Sequence, residues 1–143
     1  MTKRYTTIKV ERERRVLRLM MSRPEIHNAF NEHLIADLSN AFREAAKACC
    51  IESSGPMARH ADPSAEPGAD PIRVVVYTGE GKSFSAGADL NWMKKMVDYS
   101  FEENMADSLA LAELMYLIYT CPVPTIARVN GAAIGGGVGL LSA

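Results

Sequence analysis

An α/β domain is what this sequence predicts, and three observations predict it. Apolar runs of strand length, such as Arg73-Val74-Val75-Val76-Tyr77, alternate with longer segments whose apolar residues recur at helical spacing. Two glycine-bearing turns, Phe84-Ser85-Ala86-Gly87-Ala88-Asp89-Leu90 and Asn130-Gly131-Ala132-Ala133-Ile134-Gly135-Gly136-Gly137, each follow a strand-like run and open a helix. The composition, 48% hydrophobic and 23% charged over 143 residues, is that of one globular domain with a real core.

The elements follow in order. Thr6-Thr7-Ile8-Lys9-Val10 and Val16-Leu17-Arg18-Leu19-Met20 read as two strands, with Glu11 to Arg15 as their polar connection. Arg23-Pro24 ends the second strand. Asn28 is placed to cap the next helix. Phe30, Leu34, Leu38 and Phe42 form its buried stripe, and it should run to Cys49 or Cys50. Residues 53–71 hold Gly55, Pro56, Pro63, Pro67, Gly68 and Pro71 with few large apolar side chains, so an exposed, mobile loop is expected there. Arg73 to Thr78 is a buried-type strand. Asp89 caps a short helix through Met96, and Ser100-Phe101-Glu102-Glu103 has the capping-box pattern for a long one. Met105, Leu109, Ala112, Tyr116 and Tyr119 share one face of that helix, and Cys121-Pro122-Val123-Pro124 ends it. Pro124 to Val129 is the last strand. The order is ββ, α, β, α, β, α, without an internal repeat.

Charge and cysteines exclude several functions. The net charge of -1 offers no global basic field for nucleic acid. Cys49, Cys50 and Cys121 fit neither a zinc spacing nor a disulfide framework, so reduced, buried thiols are expected. The N-terminus lacks the apolar core of a signal peptide, and no run approaches membrane-spanning length. A soluble, cytoplasmic protein without membrane or nucleic-acid partners is the expectation. No grouped ligands for a metal are evident. Gly79-Glu80-Gly81-Lys82-Ser83 ends like a phosphate loop, but Val76 stands where its first glycine is needed. Leu140 likewise breaks a dinucleotide-binding frame over the triple glycine.

What the two turns offer is free amides. Small residues let a ligand approach the backbone, and a helix start leaves N–H groups unpaired. Two such turns facing one another can hold one developing oxyanion between two peptide N–H groups, which suits enolate chemistry. The plain alternative is a pair of ordinary strand-to-helix connections.

Together with Ser22-Arg23-Pro24-Glu25-Ile26-His27-Asn28-Ala29-Phe30, these turns resemble, in order and approximate separation, the motifs of the crotonase superfamily, the enoyl-CoA hydratase/isomerase family. The resemblance runs through most of the chain. Asp89-Leu90-Asn91-Trp92-Met93 is similar to the methylglutaconyl-CoA hydratase-like branch. The resemblance implies a crotonase (ClpP-like) fold of repeated ββα units, with residues 1–143 as its N-terminal core, truncated before the C-terminal helical region. It implies an enoyl-CoA hydratase-type lyase or isomerase acting on acyl-CoA or enoyl-CoA, with CoA as part of the substrate and no other cofactor. Ala88 and Gly136 would be the backbone oxyanion donors, helped by the helix dipole at Gly136. Glu25, His27, Ala29, Ala86, Ala88, Asp89, Leu90, Gly135 and Gly136 would face the substrate. A homo-oligomer, trimer or hexamer, is implied for a full-length protein.

Individual side chains carry plainer readings too. Asp89 reads as a helix cap before a catalytic carboxylate. His27 as a base competes with an exposed loop histidine, which is favoured. Arg23, Lys94 and Lys95 are candidates for CoA phosphates against simple surface solvation. Trp92 and Met93 either line the acyl channel or pack a helix face. Family hydratases usually place a glutamate three residues after the middle glycine, and here that position is Gly139. A second glutamate would fall beyond Ala143, so the chain reads as the front of a longer enzyme and, alone, as a poor catalyst. Thioester hydrolysis, decarboxylation, or binding without turnover remain as alternatives.

Overall fold

The computed structural model describes residues 5–49 and 71–143. The loop expected over residues 53–71 falls, but for its last residue, outside them. The element order is β1 (Ile8–Glu13), β2 (Val16–Met21), α1 (Glu32–Ala48), β3 (Val74–Gly79), β4 (Ser83–Ser85), α2 (Leu90–Met96), α3 (Phe101–Tyr119), β5 (Thr125–Arg128), β6 (Ala132–Ala133) and α4 (Gly136–Ser142). A single 3-10 turn, Pro24–Ile26, precedes α1. Strand, strand, helix thus occurs three times, as the resemblance implies.

The main sheet has the order β1-β2-β3-β5. β1 and β2 form an antiparallel hairpin, while β2–β3 and β3–β5 are parallel. The connection between β1 and β2 is tighter than expected. Both strands run up to a two-residue turn at Arg14 and Arg15, with Arg14 at φ 53°. Side-chain alternation decides the faces. Leu17, Leu19 and Met21 of β2 lie beside Val75, Tyr77 and Gly79 of β3, and all six are buried. α1 covers that face with Leu34, Ile35, Leu38, Ala41, Phe42 and Ala45. Phe42, Tyr77 and Phe84 continue the core as edge-on and tilted ring pairs, with centroids 5.9 and 6.1 Å apart.

β4 and β6 pair in parallel as a separate two-stranded sheet. They bring the two glycine turns side by side. At two and three residues these strands are too short to show a period in the sequence.

Three helix starts follow local capping rules. Asp89 accepts from the Asn91 amide at the start of α2, and Ser100 and Glu103 form the expected reciprocal capping box of α3. α1 departs from expectation. Its cap is Asn31, whose side chain accepts from the Leu34 amide, and not Asn28. Asn28 lies at φ 54° and is fully buried. Its side chain donates to the Glu80 and Ser83 carbonyls at 2.8 and 2.9 Å and accepts from the Arg23 amide at 3.0 Å. An amide engaged on three sides by backbone cannot also cap a helix. Phe30 correspondingly lies before α1 rather than in its stripe, though it is buried as expected.

The apolar face expected on α3 is the exposed one. Leu109, Tyr116 and Tyr119 are 60%, 65% and 77% exposed, and α3 instead buries Leu114 and Ile118. The helix is apolar on both sides, so spacing alone does not choose between them. Among the described residues no helix is long and apolar enough to cross a membrane. Cys49 is buried and Cys121 half-buried; Cys50 lies outside the described residues.

One ion ties β1 to α1. Asp37 Oδ2 accepts from the amides of Thr6 and Thr7, each at 2.9 Å, and from their hydroxyls at 3.2 and 2.8 Å. Burial pushes its carboxyl up, but these four donors together outweigh that and hold it below the ordinary range. A carboxyl depressed in the folded state contributes stability that is complete above its unfolded value, about 4, and lost as pH falls through its folded value. Urea midpoints should therefore drop as pH falls below about 4. Asp37→Ala should lower stability at pH 7 by on the order of 2 kcal/mol and flatten that acid dependence. An acid limb identical in variant and parent would refute this assignment.

Candidate functional site

The first turn is built by its neighbours. Ser85 is fully buried, donates from Oγ to the Asn28 carbonyl at 3.0 Å, and accepts there from the Gly87 amide. The Ala86 amide donates to the His27 carbonyl at 2.9 Å. Gly87 adopts φ 84°, open to glycine and strained for other residues. Phe30 and Ala88 then form an isolated parallel bridge. The Phe30 amide donates to the Gly87 carbonyl at 2.8 Å and the Asp89 amide to the Phe30 carbonyl at 2.9 Å.

That bridge sets the direction of the Ala88 N–H. The Gly87–Ala88 peptide is planar and trans, so its C=O and N–H point opposite ways. With the carbonyl turned toward Phe30, the N–H is turned away from the 22–30 segment. Among the described residues, the Ala88 amide has no hydrogen-bond acceptor, and neither has the Gly136 amide.

The second turn is docked onto the first. The Ile134 amide donates to the Ser85 carbonyl at 2.9 Å. Asn130 receives the Gly79 amide at 3.1 Å and donates to the Gly81 carbonyl at 2.9 Å. A Cβ placed on Gly87 would lie 2.7 Å from the Ile134 carbonyl oxygen and 3.1 Å from the Gly136 nitrogen. One on Gly136 would overlap the Phe30 ring, and one on Gly137 would lie 2.6 Å from the Ser85 carbonyl oxygen. The glycines are where backbone meets backbone. Two unpaired amides, one from each turn, are thus held in one neighbourhood, and Gly135 and Gly136 are exposed to solvent.

The other expected residues surround this pair unevenly. Glu25 and His27 are exposed on the first segment, and His27 Nδ1 lies 3.0 Å from Ser83 Oγ. Ala86 is partly exposed, and Leu90, at the start of α2, is 72% exposed. Ala29 is buried, and its carbonyl accepts from Arg23 Nη1 at 2.6 Å. Asp89 is buried, paired with Arg23 Nη2 at 2.9 Å and bound to the Asn91 amide at 2.8 Å. Burial raises its carboxyl, but the Asn91 and Arg23 hydrogen bonds together hold it below the ordinary range, so it is an ionised cap. Arg23 is not a surface cation: both guanidinium ends are engaged and its side chain is 17% exposed.

Trp92 is buried, packing edge-on to Phe30 at 6.3 Å and donating to Asp107, whereas Met93 is exposed. Lys94 is exposed, and Lys95 lies 3.8 Å from Glu32. Gly139 lies inside α4, and a Cβ there would meet the Met115 methyl at 3.3 Å. A shallow groove of about 200 Å³ between α1 and α3, lined by residues including Glu32, Arg43 and Asp107, involves none of the residues of either glycine turn. Among the described residues, no three His, Cys, Asp or Glu side chains group closely enough to hold a metal ion.

What sequence reasoning missed are the residues that hold the turns rather than form them. These are Asn28, Ser85, Asn130 and the Arg23–Asp89 pair. The Arg23-Pro24 and Asn130-Gly131 dipeptides mark a break and a turn, but nothing local announces their distant partners.

Comparison with known proteins agrees with this architecture. The family model described as enoyl-CoA hydratase/isomerase matches residues 67–143. A Thermus thermophilus relative is 49% identical over 79 residues, 55% of this chain and 30% of that protein. The enoyl-CoA hydratase ACTT6 of Alternaria alternata is 34% identical over 124 residues, 87% of this chain and 33% of its own length. A crystal structure of an enoyl-CoA hydratase from Shewanella pealeana superposes with a TM-score of 0.76 at 31% identity, covering 96% of this chain and 44% of that one. The chain therefore spans between about a third and a half of the length of such relatives. With the fold, the turn order and the matched residues in agreement, the chain belongs to the enoyl-CoA hydratase/isomerase family.

Proposed function

We propose that this chain supplies the oxyanion-stabilising part of an enzyme that hydrates or isomerises enoyl-CoA thioesters. The observation that carries the reading is the pair of acceptor-free amides, Ala88 and Gly136, on two turns locked together through Gly87, Ser85 and Ile134. In the proposed reaction the thioester oxygen lies between these two N–H groups. Chemistry at the adjacent carbons loads that oxygen with negative charge, and the donors bind the enolate more tightly than the ground-state thioester. Each such donor is worth roughly a hundred- to a thousandfold in rate.

Glu25, His27, Leu90 and Gly135, all exposed, and the partly exposed Ala86 would form the rim along which the CoA portion runs. CoA enters as substrate, and no further cofactor belongs to the proposal. Ala29 and Asp89 contribute through packing and capping, since both are buried and engaged. Assembly into a trimer or hexamer belongs to the same reading for a protein of family length.

Gly139 supports a second reading. It offers no carboxylate to add or remove a proton, and neither turn carries another in its place except the engaged Asp89. The chain by itself is then an acyl-CoA binder with little turnover.

Calorimetry with CoA and with acetoacetyl-CoA, whose enolised thioester matches the proposed intermediate, separates the ideas. Acetoacetyl-CoA should bind at least about tenfold tighter, as expected for two well-aimed donors. Equal affinities would rule out the oxyanion assignment. Crotonyl-CoA then reports the reaction in a family-length protein: loss of the enoyl absorbance without thiol release means hydration, and thiol release means hydrolysis. Neither, with binding intact, leaves the binder.

A further inference from the structure

We propose that Arg23 is a positioning residue that both aims and polarises the Ala88 N–H, acting through two successive peptide groups. The inference rests on the oxyanion reading of Ala88 and deepens it. Arg23 Nη1 donates to the Ala29 carbonyl at 2.6 Å. The same peptide unit carries the Phe30 N–H, which donates to the Gly87 carbonyl at 2.8 Å. The unit after that carries the Ala88 N–H. A cation, two peptide groups and a free donor therefore form one unbroken chain of hydrogen bonds.

Such chains polarise cooperatively, by roughly 10–30% per bond. A positive charge on the Ala29 oxygen draws electron density toward it. The Phe30 N–H becomes a stronger donor, and in turn the Ala88 N–H does too. The charge-assisted first bond is also the short, strong kind that fixes a peptide plane. Because each peptide is flat, fixing the Ala29–Phe30 plane fixes where its N–H meets the Gly87 carbonyl, and so where the Ala88 N–H points.

The rest of the guanidinium is held for this task. Nη2 is paired with Asp89 at 2.9 Å, and the Arg23 backbone amide is held by the Asn28 side chain at 3.0 Å. Asp89 in turn donates its own amide to the Phe30 carbonyl, on the far side of Ala88. The charged head is largely withdrawn from water, where its field is least screened.

The test uses four proteins: the parent, Arg23→Met, Asp89→Asn, and the double variant carrying both changes. The double variant leaves no buried carboxylate unpaired, so it remains informative if Arg23→Met alone does not fold. Asp89→Asn keeps a capping oxygen for the Asn91 amide while removing the counter-charge. The readouts are the ratio of CoA to acetoacetyl-CoA dissociation constants and the carbonyl stretching frequency of bound acetoacetyl-CoA labelled with carbon-13 at the thioester.

Arg23→Met and the double variant should lose roughly three- to tenfold of the ratio, and the carbonyl band should move toward its free position. Asp89→Asn leaves the cation and its bond to the Ala29 carbonyl, and should lose clearly less of the ratio and shift the band less than Arg23→Met. A purely structural pair would make Asp89→Asn behave like Arg23→Met, and that result overturns the proposal. So does a double variant that retains the parent's ratio and band. Failure of the parent itself to discriminate the two ligands is a different outcome: it removes the oxyanion reading on which the relay stands.

Discussion

Alanine in place of Gly87 should be among the most damaging single changes to the candidate site. The residue holds φ 84°, where an L side chain costs roughly 1–2 kcal/mol. The added methyl would also lie 2.7 Å from the Ile134 carbonyl oxygen and 3.1 Å from the Gly136 nitrogen. Both are backbone atoms, so no rotamer change relieves the contact, and overpacking of this kind costs roughly 1–3 kcal/mol more. A total of about 2–5 kcal/mol should lower the melting temperature by roughly 10 °C. The strain falls on the seam between the two turns, so acetoacetyl-CoA should lose its advantage over CoA even in the fraction that stays folded. A Gly87→Ala protein that melts with the parent would show that the turns do not meet as described.

Asn28→Ala is expected to be comparably severe, for a different reason. The side chain satisfies the Glu80 and Ser83 carbonyls and the Arg23 amide, and the residue is fully buried. Its removal leaves the Glu80 carbonyl and the Arg23 amide without this partner, while the Ser83 carbonyl keeps a 3.3 Å bond from Asn130. Each group left unpaired costs about 1–3 kcal/mol, so a loss of roughly 2 kcal/mol or more is expected. Asn28→Asp should not rescue it, because a carboxylate can accept from Arg23 but cannot donate to two carbonyls. Denaturant titration of the two variants checks this. Stability of Asn28→Asp within 0.5 kcal/mol of the parent, inside the ordinary scatter of surface changes, would contradict it.

These two residues also show where sequence reading succeeds and stops. Asp89 and Ser100 cap their helices through neighbours within three residues, and both are visible in the sequence. So are Leu34, Leu38 and Phe42, because a helix covered on one face shows its period. Asn28 looks like a cap because it precedes an apolar helical run, but the two carbonyls to which it donates lie more than fifty positions away. No local rule distinguishes it from Asn31. α3 defeats the same method by having apolar residues on both faces, so the pattern names a helix without saying which side is buried.

The site divides in the same way. The glycine turns are legible as turns, since Gly87 and Gly135 need positive φ and sit where strands meet helices. Their docking is a tertiary fact, carried by Ser85, Ile134 and Asn130. Arg23 is the sharpest case. In one dimension it is a cation beside a proline and suits a surface phosphate. In three it is withdrawn into an ion pair with Asp89.

The order of strands in the main sheet has a consequence for how the protein comes into being. β3 takes one parallel neighbour, β2, from much earlier in the chain, and the other, β5, from much later. Parallel pairing across such distances demands long loops to be closed before any ladder bond is gained, which slows folding. The hairpin β1–β2 and the helix α1 can form from local contacts as soon as they are made. The β4–β6 ladder cannot, because α2, α3 and β5 separate its two strands along the chain. During synthesis the first turn therefore stands open and unmatched until the second, made much later, pairs with it.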